Sequence, residues 1–131
     1  MPVLTPPAAD RLDHDATTLP IGEVAGYLQD HLGQRMAAHL AGLADAKQIG
    51  RYRREDGPTP SQRTEQRLRE GYKIVRMIVE AFDQKTARAW LFGTNTRLDD
   101  QAPITVLRQA TEPEQFAGVR QAARQLASFE A

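Results

Sequence analysis

Apolar residues recur every three or four positions along most of this chain, and no segment alternates apolar and polar residues as an amphipathic strand would. Val24, Leu28 and Leu32 form the first such stripe, and Leu68 and Tyr72 lie on the longest. Glycine and proline separate the stripes, as is usual between short helices. The sequence therefore predicts an all-α fold of about six or seven helices.

The opening segment, residues 1–19, carries Pro2, Pro6 and Pro7 among scattered aspartates and threonines. This composition predicts a mobile tail. The segment lacks the basic start and apolar core of a signal peptide, and no apolar run in the chain is long enough to cross a bilayer. We therefore expect a cytoplasmic protein without a membrane partner.

Glycine and proline divide the remainder into three parts. Residues 20–58 predict a helix-turn-helix, because Gly42 stands where the turn requires a positive φ that is favourable only for glycine. Residues 59–82 predict a long linking helix, with Thr59 as its N-cap and Pro60 at the first helical position. Residues 83–131 predict a second, small helical domain.

Charge is balanced over the whole chain but unevenly distributed. Residues 47–76 carry nine basic and four acidic side chains, whereas residues 1–46 carry two basic and six acidic ones. A basic segment of this kind indicates an anionic partner. The second helix of the helix-turn-helix would offer side chains suited to base edges and phosphates, namely Lys47, Gln48, Arg51, Arg53 and Arg54.

The alternative without DNA contact is that these five residues form the solvated basic face of a structural helix, and the sequence does not decide between the two. On the next helix, Arg67, Lys73 and Arg76 fit an ordinary amphipathic surface, with phosphate contact as the alternative.

No residue pattern indicates catalysis or metal binding. The chain has no cysteine, and its three histidines come without carboxylates at ligand spacing. It contains no glycine-rich phosphate loop, no Ser-His-Asp set and no paired-carboxylate motif. We therefore expect a protein that is not an enzyme, has no catalytic residues, cofactor or metal, and acts through binding surfaces.

The segment of residues 87–104 carries the most specific pattern. Trp90 is the only tryptophan and has the area to hold several helices together. The Asn95 side chain is suited to hold a loop by a hydrogen bond to the nearby backbone. Leu98 would turn inward from this loop, and Pro103 would begin the next helix. We expect these four residues to be structural and to hold one loop firmly between two helices.

The order of residues in this segment resembles the C-terminal domain of the Xre/MbcA/ParS antitoxins. The residues that carry the resemblance are Trp90-Leu91, Gly93, Asn95, Leu98 and Pro103-Ile104. Upstream, the run from Leu40 to Tyr52 is similar to the Xre-type half of the same antitoxins, with tyrosine where tryptophan is usual. The likeness covers about residues 20–128. It implies a fold with an N-terminal Xre-like helix-turn-helix followed by a small helical toxin-binding domain.

Such antitoxins are typically encoded beside a RES-domain toxin that destroys NAD. The resemblance implies that the chain forms a homodimer, with residues 60–82 as the expected seam, and occludes the toxin's active site with its C-terminal region. Many members also bind their own promoter as autorepressors. The resemblance places the toxin-binding region at residues 112–131 of this chain. Its candidate residues are Arg120, Gln121, Arg124, Gln125 and Phe129.

Two alternatives remain at this stage. The arginines on the last helix are equally well explained as surface residues of an amphipathic helix. The whole chain is also consistent with a stand-alone helix-turn-helix transcription regulator that binds operator DNA without any toxin partner.

Overall fold

The computed structural model describes residues 4–128, and the regular secondary structure of this part of the chain consists of helices, which confirms the all-α prediction. Its single β-type contact is an isolated bridge between Asn95 and Gln101. The α-helices within the described range are α1 (Pro6–Thr18), α2 (Ile21–Leu32), α3 (Gln34–Ala41), α4 (Gln48–Arg53), α5 (Gln62–Ala81), α6 (Gln84–Phe92), α7 (Pro103–Gln109) and α8 (Pro113–Ala127), with a short 3-10 helix (Thr96–Leu98) between α6 and α7.

The N-terminal segment is helical where the sequence predicted a mobile tail. The Thr5 hydroxyl accepts a hydrogen bond from the Ala8 amide at 3.3 Å, and two prolines occupy the first turn, where an amide has no helical partner anyway. Leu12 and Ala16 are each 1% exposed. The tail prediction is therefore wrong for residues 6–18, because prolines that suggested disorder instead begin a helix.

Arginines on α5 hold α1 in place. Arg69 donates hydrogen bonds to the carbonyls of Ala16 (3.0 Å) and Leu19 (2.9 Å), which lie at the C-terminal end of α1. Arg76 on α5 forms an ion pair with Asp15 on α1. A cation at a helix C-terminus satisfies carbonyls that have no partner within the helix and interacts favourably with the helix dipole.

The two ends of the described chain also meet. The Leu4 amide donates a hydrogen bond to the Ala127 carbonyl at 2.8 Å, and the Leu4 side chain is buried. This contact joins the segment before α1 to the end of α8.

The central element is α5. It begins at Gln62, two residues later than the Thr-Pro start suggested, because Ser61 is the N-cap and accepts a hydrogen bond from the Thr64 amide at 3.2 Å. Helices α1, α2, α3, α6 and α8 all contact it. The chain's own helices cover the apolar stripe of α5. A dimer seam on residues 60–82 would therefore have to use the polar side of this helix, and the homodimer itself stays a prediction. The buried members of that stripe include Leu68, Tyr72, Ile74, Val75, Met77 and Ile78.

Side chains from both halves of the sequence belong to one buried cluster. Leu40 and Ile49 come from the N-terminal half, and Leu107 and Phe116 come from the C-terminal half. Helix α3 also contacts α7, and α2 contacts α6. The two predicted domains thus share one hydrophobic core across α5, instead of each enclosing its own.

The turn between α3 and α4 depends on a glycine, as the sequence predicted. Gly42 has φ 79° and ψ 22°, and its amide is bonded to the carbonyls of Ala38 and His39. A Cβ added at Gly42 would lie 2.8 Å from a terminal nitrogen of Arg67. The backbone conformation therefore opposes any larger residue, and the Arg67 guanidinium would also have to move.

We expect Gly42→Ala to lower the free energy of unfolding by about 1–3 kcal/mol, the usual cost of a non-glycine residue in strained backbone. The matched control is Gly118→Ala, in α8, where an added Cβ would meet nothing within 4 Å. That change should raise stability by about 0.5–1 kcal/mol, because alanine loses less backbone entropy than glycine in a helix. Urea denaturation followed by circular dichroism measures both values. Shifts of the same sign for the two variants would contradict this account of the turn.

Candidate binding surfaces

Residues 93–102 form an ordered loop between α6 and α7. The Asn95 side-chain carbonyl accepts a hydrogen bond from the Arg97 amide at 3.0 Å, and the Asn95 amide donates to the Gln101 carbonyl at 3.2 Å. Leu98 is 9% exposed, and Pro103 is buried in the first turn of α7. Asn95, Leu98 and Pro103 thus hold the loop against the core from both of its ends.

The aromatic residues at the end of α6 are less buried than the sequence suggested. Leu91 is fully buried, but Trp90 is only partly buried and packs against the edge of the core. Phe92, at the last position of the helix, is 61% exposed. A large exposed aromatic side chain on a folded domain is a common mark of a contact surface when other apolar atoms adjoin it.

Phe92 borders an open groove of about 730 Å³ between α6 and the junction of α2 with α3. We call it the Phe92 groove. Its wall is apolar, its edges are basic, and no carboxylate of residues 4–128 lines it. The side chains concerned are the apolar Leu32, Met36 and Phe92 and the basic Arg35, His39 and Arg88.

The predicted toxin-binding residues lie on α8, and their side chains differ in availability. Arg120 forms an ion pair with Glu70 on α5, with 2.7 Å between the guanidinium nitrogen and the carboxylate oxygen. Gln121, Arg124 and Gln125 are exposed on the outer side of the helix. Phe129 lies outside the described residues. The structure therefore leaves three of the five candidates exposed on one helix face and engages Arg120 with the core helix.

The predicted DNA-binding residues lie on and beside α4. Arg51 forms an ion pair with Asp45 (3.1 Å) and donates a hydrogen bond to Gln48 at 2.7 Å. Arg53 forms an ion pair with Asp30 on α2 at 2.9 Å. Lys47 is exposed at the start of the helix. Two of the five predicted side chains are thus already paired with carboxylates of the same chain.

Arg53 and Arg54 also line a cleft of about 860 Å³ between α2 and α4. Glu23, Asp30 and Glu55 line the same cleft. Acidic side chains at this density oppose the approach of a polyanion. The predicted residues therefore do not form one basic face free of carboxylates.

A different group of basic residues lies around the turn after α3. It contains Arg35, His39, Arg63, Arg67 and Arg108, which we call the α3–α7 basic cluster. From the sequence, Arg67 is expected on an ordinary helix surface, with phosphate contact as the alternative, and nothing in the sequence connects it with α3 or α7. The members come from three helices, so only the tertiary structure brings them together.

Two further findings concern possible ligands. Within residues 4–128, no group of three or more histidine, aspartate or glutamate side chains is arranged to hold a metal ion. Among the helices of that range, none combines the length and apolar character needed to cross a membrane.

Comparison with known proteins adds no assignment. No family model, no curated protein and no solved structure matches the chain.

Proposed function

We propose that this protein is an antitoxin that binds a RES-domain, NAD-degrading toxin and neutralises it by occluding the active site. The observation that carries the proposal is the Phe92 groove. Phe92 belongs to the segment that resembles the Xre/MbcA/ParS antitoxins, and its ring stands mostly in solvent beside the apolar Leu32 and Met36. An exposed apolar surface beside a rigid loop supports a function in protein binding.

The chemistry of the groove defines the partner surface that fits it. Burial of an exposed aromatic ring supplies binding energy, and aromatic residues are frequent energetic centres of protein interfaces. Arg35 and Arg88 at the edges favour acidic side chains on the partner, because like charges placed opposite each other would repel. The partner segment therefore presents an apolar side chain flanked by carboxylates.

The outer face of α8 is the second surface of the proposed complex. Gln121, Arg124 and Gln125 are exposed there and polar, which suits the rim of an interface rather than its centre. In this proposal the Phe92 groove supplies affinity, and the α8 face extends over the entrance of the toxin's active site.

Deletion of residues 112–131 is not a clean test of toxin binding. Phe116, Val119 and Ala123 of α8 are buried in the core. The truncated chain would lose stability together with the candidate surface. Single exposed residues are the better targets.

The test is co-expression of the full chain with the RES-domain protein encoded beside it, followed by measurement of cellular NAD, growth and the affinity of the purified pair. We expect Phe92→Asp to weaken binding at least about tenfold, equivalent to about 1.4 kcal/mol, and to lower cellular NAD. Ala89→Asp is the matched control, because it places the same charge on the exposed side of α6 outside the groove. That variant should bind as the unmodified chain does.

Two outcomes would overturn parts of this proposal. If the unmodified, folded chain does not bind the neighbouring RES-domain protein, or no such gene adjoins it, the antitoxin function is wrong. If Phe92→Asp protects cells as well as Ala89→Asp does, the toxin is bound elsewhere.

The second candidate function is a DNA-binding regulator without a toxin partner. The α3–α7 basic cluster favours it, because its members form no ion pair within residues 4–128, and cations of this kind attract a polyanion. Many of the antitoxins that the chain resembles also bind their own promoter, so DNA binding alone does not separate the two candidates. The arrangement of neighbouring genes distinguishes them.

A further inference from the structure

The members of the α3–α7 basic cluster come together because of their spacing along helices and because α3 and α7 end near each other. Arg35 and His39 are one turn apart on α3, and Arg63 and Arg67 are one turn apart on α5. Arg108 lies near the end of α7. Each pair therefore shares a helix face, and the three helices bring these faces to the turn that follows α3.

Direct contacts fix the relative positions of the three helices. Arg108 donates a hydrogen bond to the His39 carbonyl at 2.9 Å, which joins α7 to the last turn of α3. Arg67 donates to the Ala110 carbonyl at 3.1 Å, just beyond α7, and its guanidinium lies against Gly42. Both arginines thus satisfy carbonyls at helix C-termini, and each guanidinium carries further N–H donors beyond the one used in that bond.

The described part of the chain supplies this cluster with no counter-charge. Among residues 4–128, none of its five members forms an ion pair. Three carboxylates on neighbouring segments are paired with arginines outside the cluster, namely Asp45 with Arg51, Glu65 with Arg69 and Glu70 with Arg120. Within the same range, the buried Nε of Arg67 has no hydrogen-bond partner.

The positive charges of the cluster also act on the pKa values of its members. Burial, and then the charges of Arg63 and Arg108, lower the pKa of Arg67 below its usual value. Burial, and then the charge of Arg108, lower the pKa of His39. Positive potential therefore accumulates at this turn.

A small cleft gives a ligand access to the cluster. Arg35, His39 and Arg108 line it, together with short apolar side chains of the turn, and its volume is about 260 Å³. A water molecule takes about 30 Å³ in the liquid, so the cleft has room for a tetrahedral anion with part of its hydration shell.

We propose that the α3–α7 basic cluster binds phosphoryl groups. Guanidinium groups present parallel N–H donors that match the oxygens of a phosphate, and a bound dianion would supply the missing negative charge. This inference does not rest on the antitoxin function. The phosphoryl group belongs either to a nucleic-acid backbone or to a free nucleotide, and the two sources give different results below.

The experiment uses the full chain and two probes. Sodium pyrophosphate represents the free phosphoryl group and is titrated against sodium chloride of equal ionic strength, with the His39 imidazole followed by NMR. A fluorescein-labelled duplex of mixed sequence represents the backbone, and its anisotropy is measured over a series of salt concentrations. Bound anion stabilises the imidazolium, so binding at the cluster should raise the pKa of His39.

The variants are chosen so that the fold is spared. Arg35 and Arg63 are exposed. We expect the double variant Arg35→Gln/Arg63→Gln to bind at least about tenfold more weakly to whichever probe the unmodified chain binds. If the source is a nucleic-acid backbone, the slope of log K against log salt should fall by about one for each phosphate that the variant no longer neutralises. The matched control is Arg11→Gln/Arg97→Gln, which removes two exposed arginines outside the cluster and outside the proposed toxin-binding surfaces.

Each result has a defined meaning. Binding of duplex with a reduced slope in the cluster variant identifies the backbone, and binding of pyrophosphate with a shift at His39 but no binding of duplex identifies a free nucleotide. Absence of binding for both probes overturns the proposal. Equal losses for the cluster variant and the control variant also overturn it, because attraction by net charge would then explain the binding.

Discussion

Replacing Phe116 with alanine is expected to lower the free energy of unfolding by about 3–5 kcal/mol, the usual cost of removing a buried aromatic side chain. Phe116 is 1% exposed and is among the largest fully buried side chains of the molecule. It lies on α8, which packs along α5. The loss is a large part of the roughly 5–15 kcal/mol that stabilises a typical domain, so the variant should unfold well below the temperature of the unmodified chain.

The matched control is Phe92→Ala, which removes the same atoms from a position that is 61% exposed. We expect its stability to change by less than about 0.5 kcal/mol. Because both halves of the sequence share one core, Phe116→Ala should also leave a single unfolding transition in calorimetry and circular dichroism. Two separate transitions, of which Phe116→Ala shifts only one, would show that the halves fold independently.

Replacing Leu12 with alanine should lower the free energy of unfolding by about 2–5 kcal/mol. Leu12 lies on α1, is 1% exposed and contributes to the common core. The neighbouring Arg11 is exposed, so Arg11→Ala is the matched control and should change stability by less than about 0.5 kcal/mol. Urea denaturation of both variants measures the difference. A Leu12→Ala variant as stable as the control would mean that residues 6–18 are a mobile segment after all.

Much of the fold was predictable because local patterns and tertiary packing agree. The stripe of Leu68 and Tyr72 predicts the central helix, and Gly42 predicts the left-handed turn. The failure at α1 has a physical cause. Its buried side is narrow, with only Leu12 and Ala16 fully covered inside the helix, and its two leading prolines are compatible with either a disordered segment or a first helical turn.

The candidate surfaces were less predictable, because exposure and pairing are properties of the tertiary structure. The sequence cannot show that Asp30 on α2 pairs with Arg53 on α4. Phe92 follows a buried leucine on an apolar run, so its exposure is decided by where α6 ends. The basic cluster joins Arg63 on α5 with Arg108 on α7, residues too distant in sequence for periodicity to relate them.

The hydrogen bond between Leu4 and Ala127 closes a loop that contains almost the entire described chain. Contacts of such long sequence separation form at high entropic cost, and they slow folding in two-state proteins. We expect α1 to dock after the transition state, once α5 and α8 are already assembled. In stopped-flow chevron measurements, Leu12→Ala should then accelerate unfolding while leaving the refolding rate nearly unchanged, with a φ-value near zero. A φ-value near one would instead place this helix in the folding nucleus.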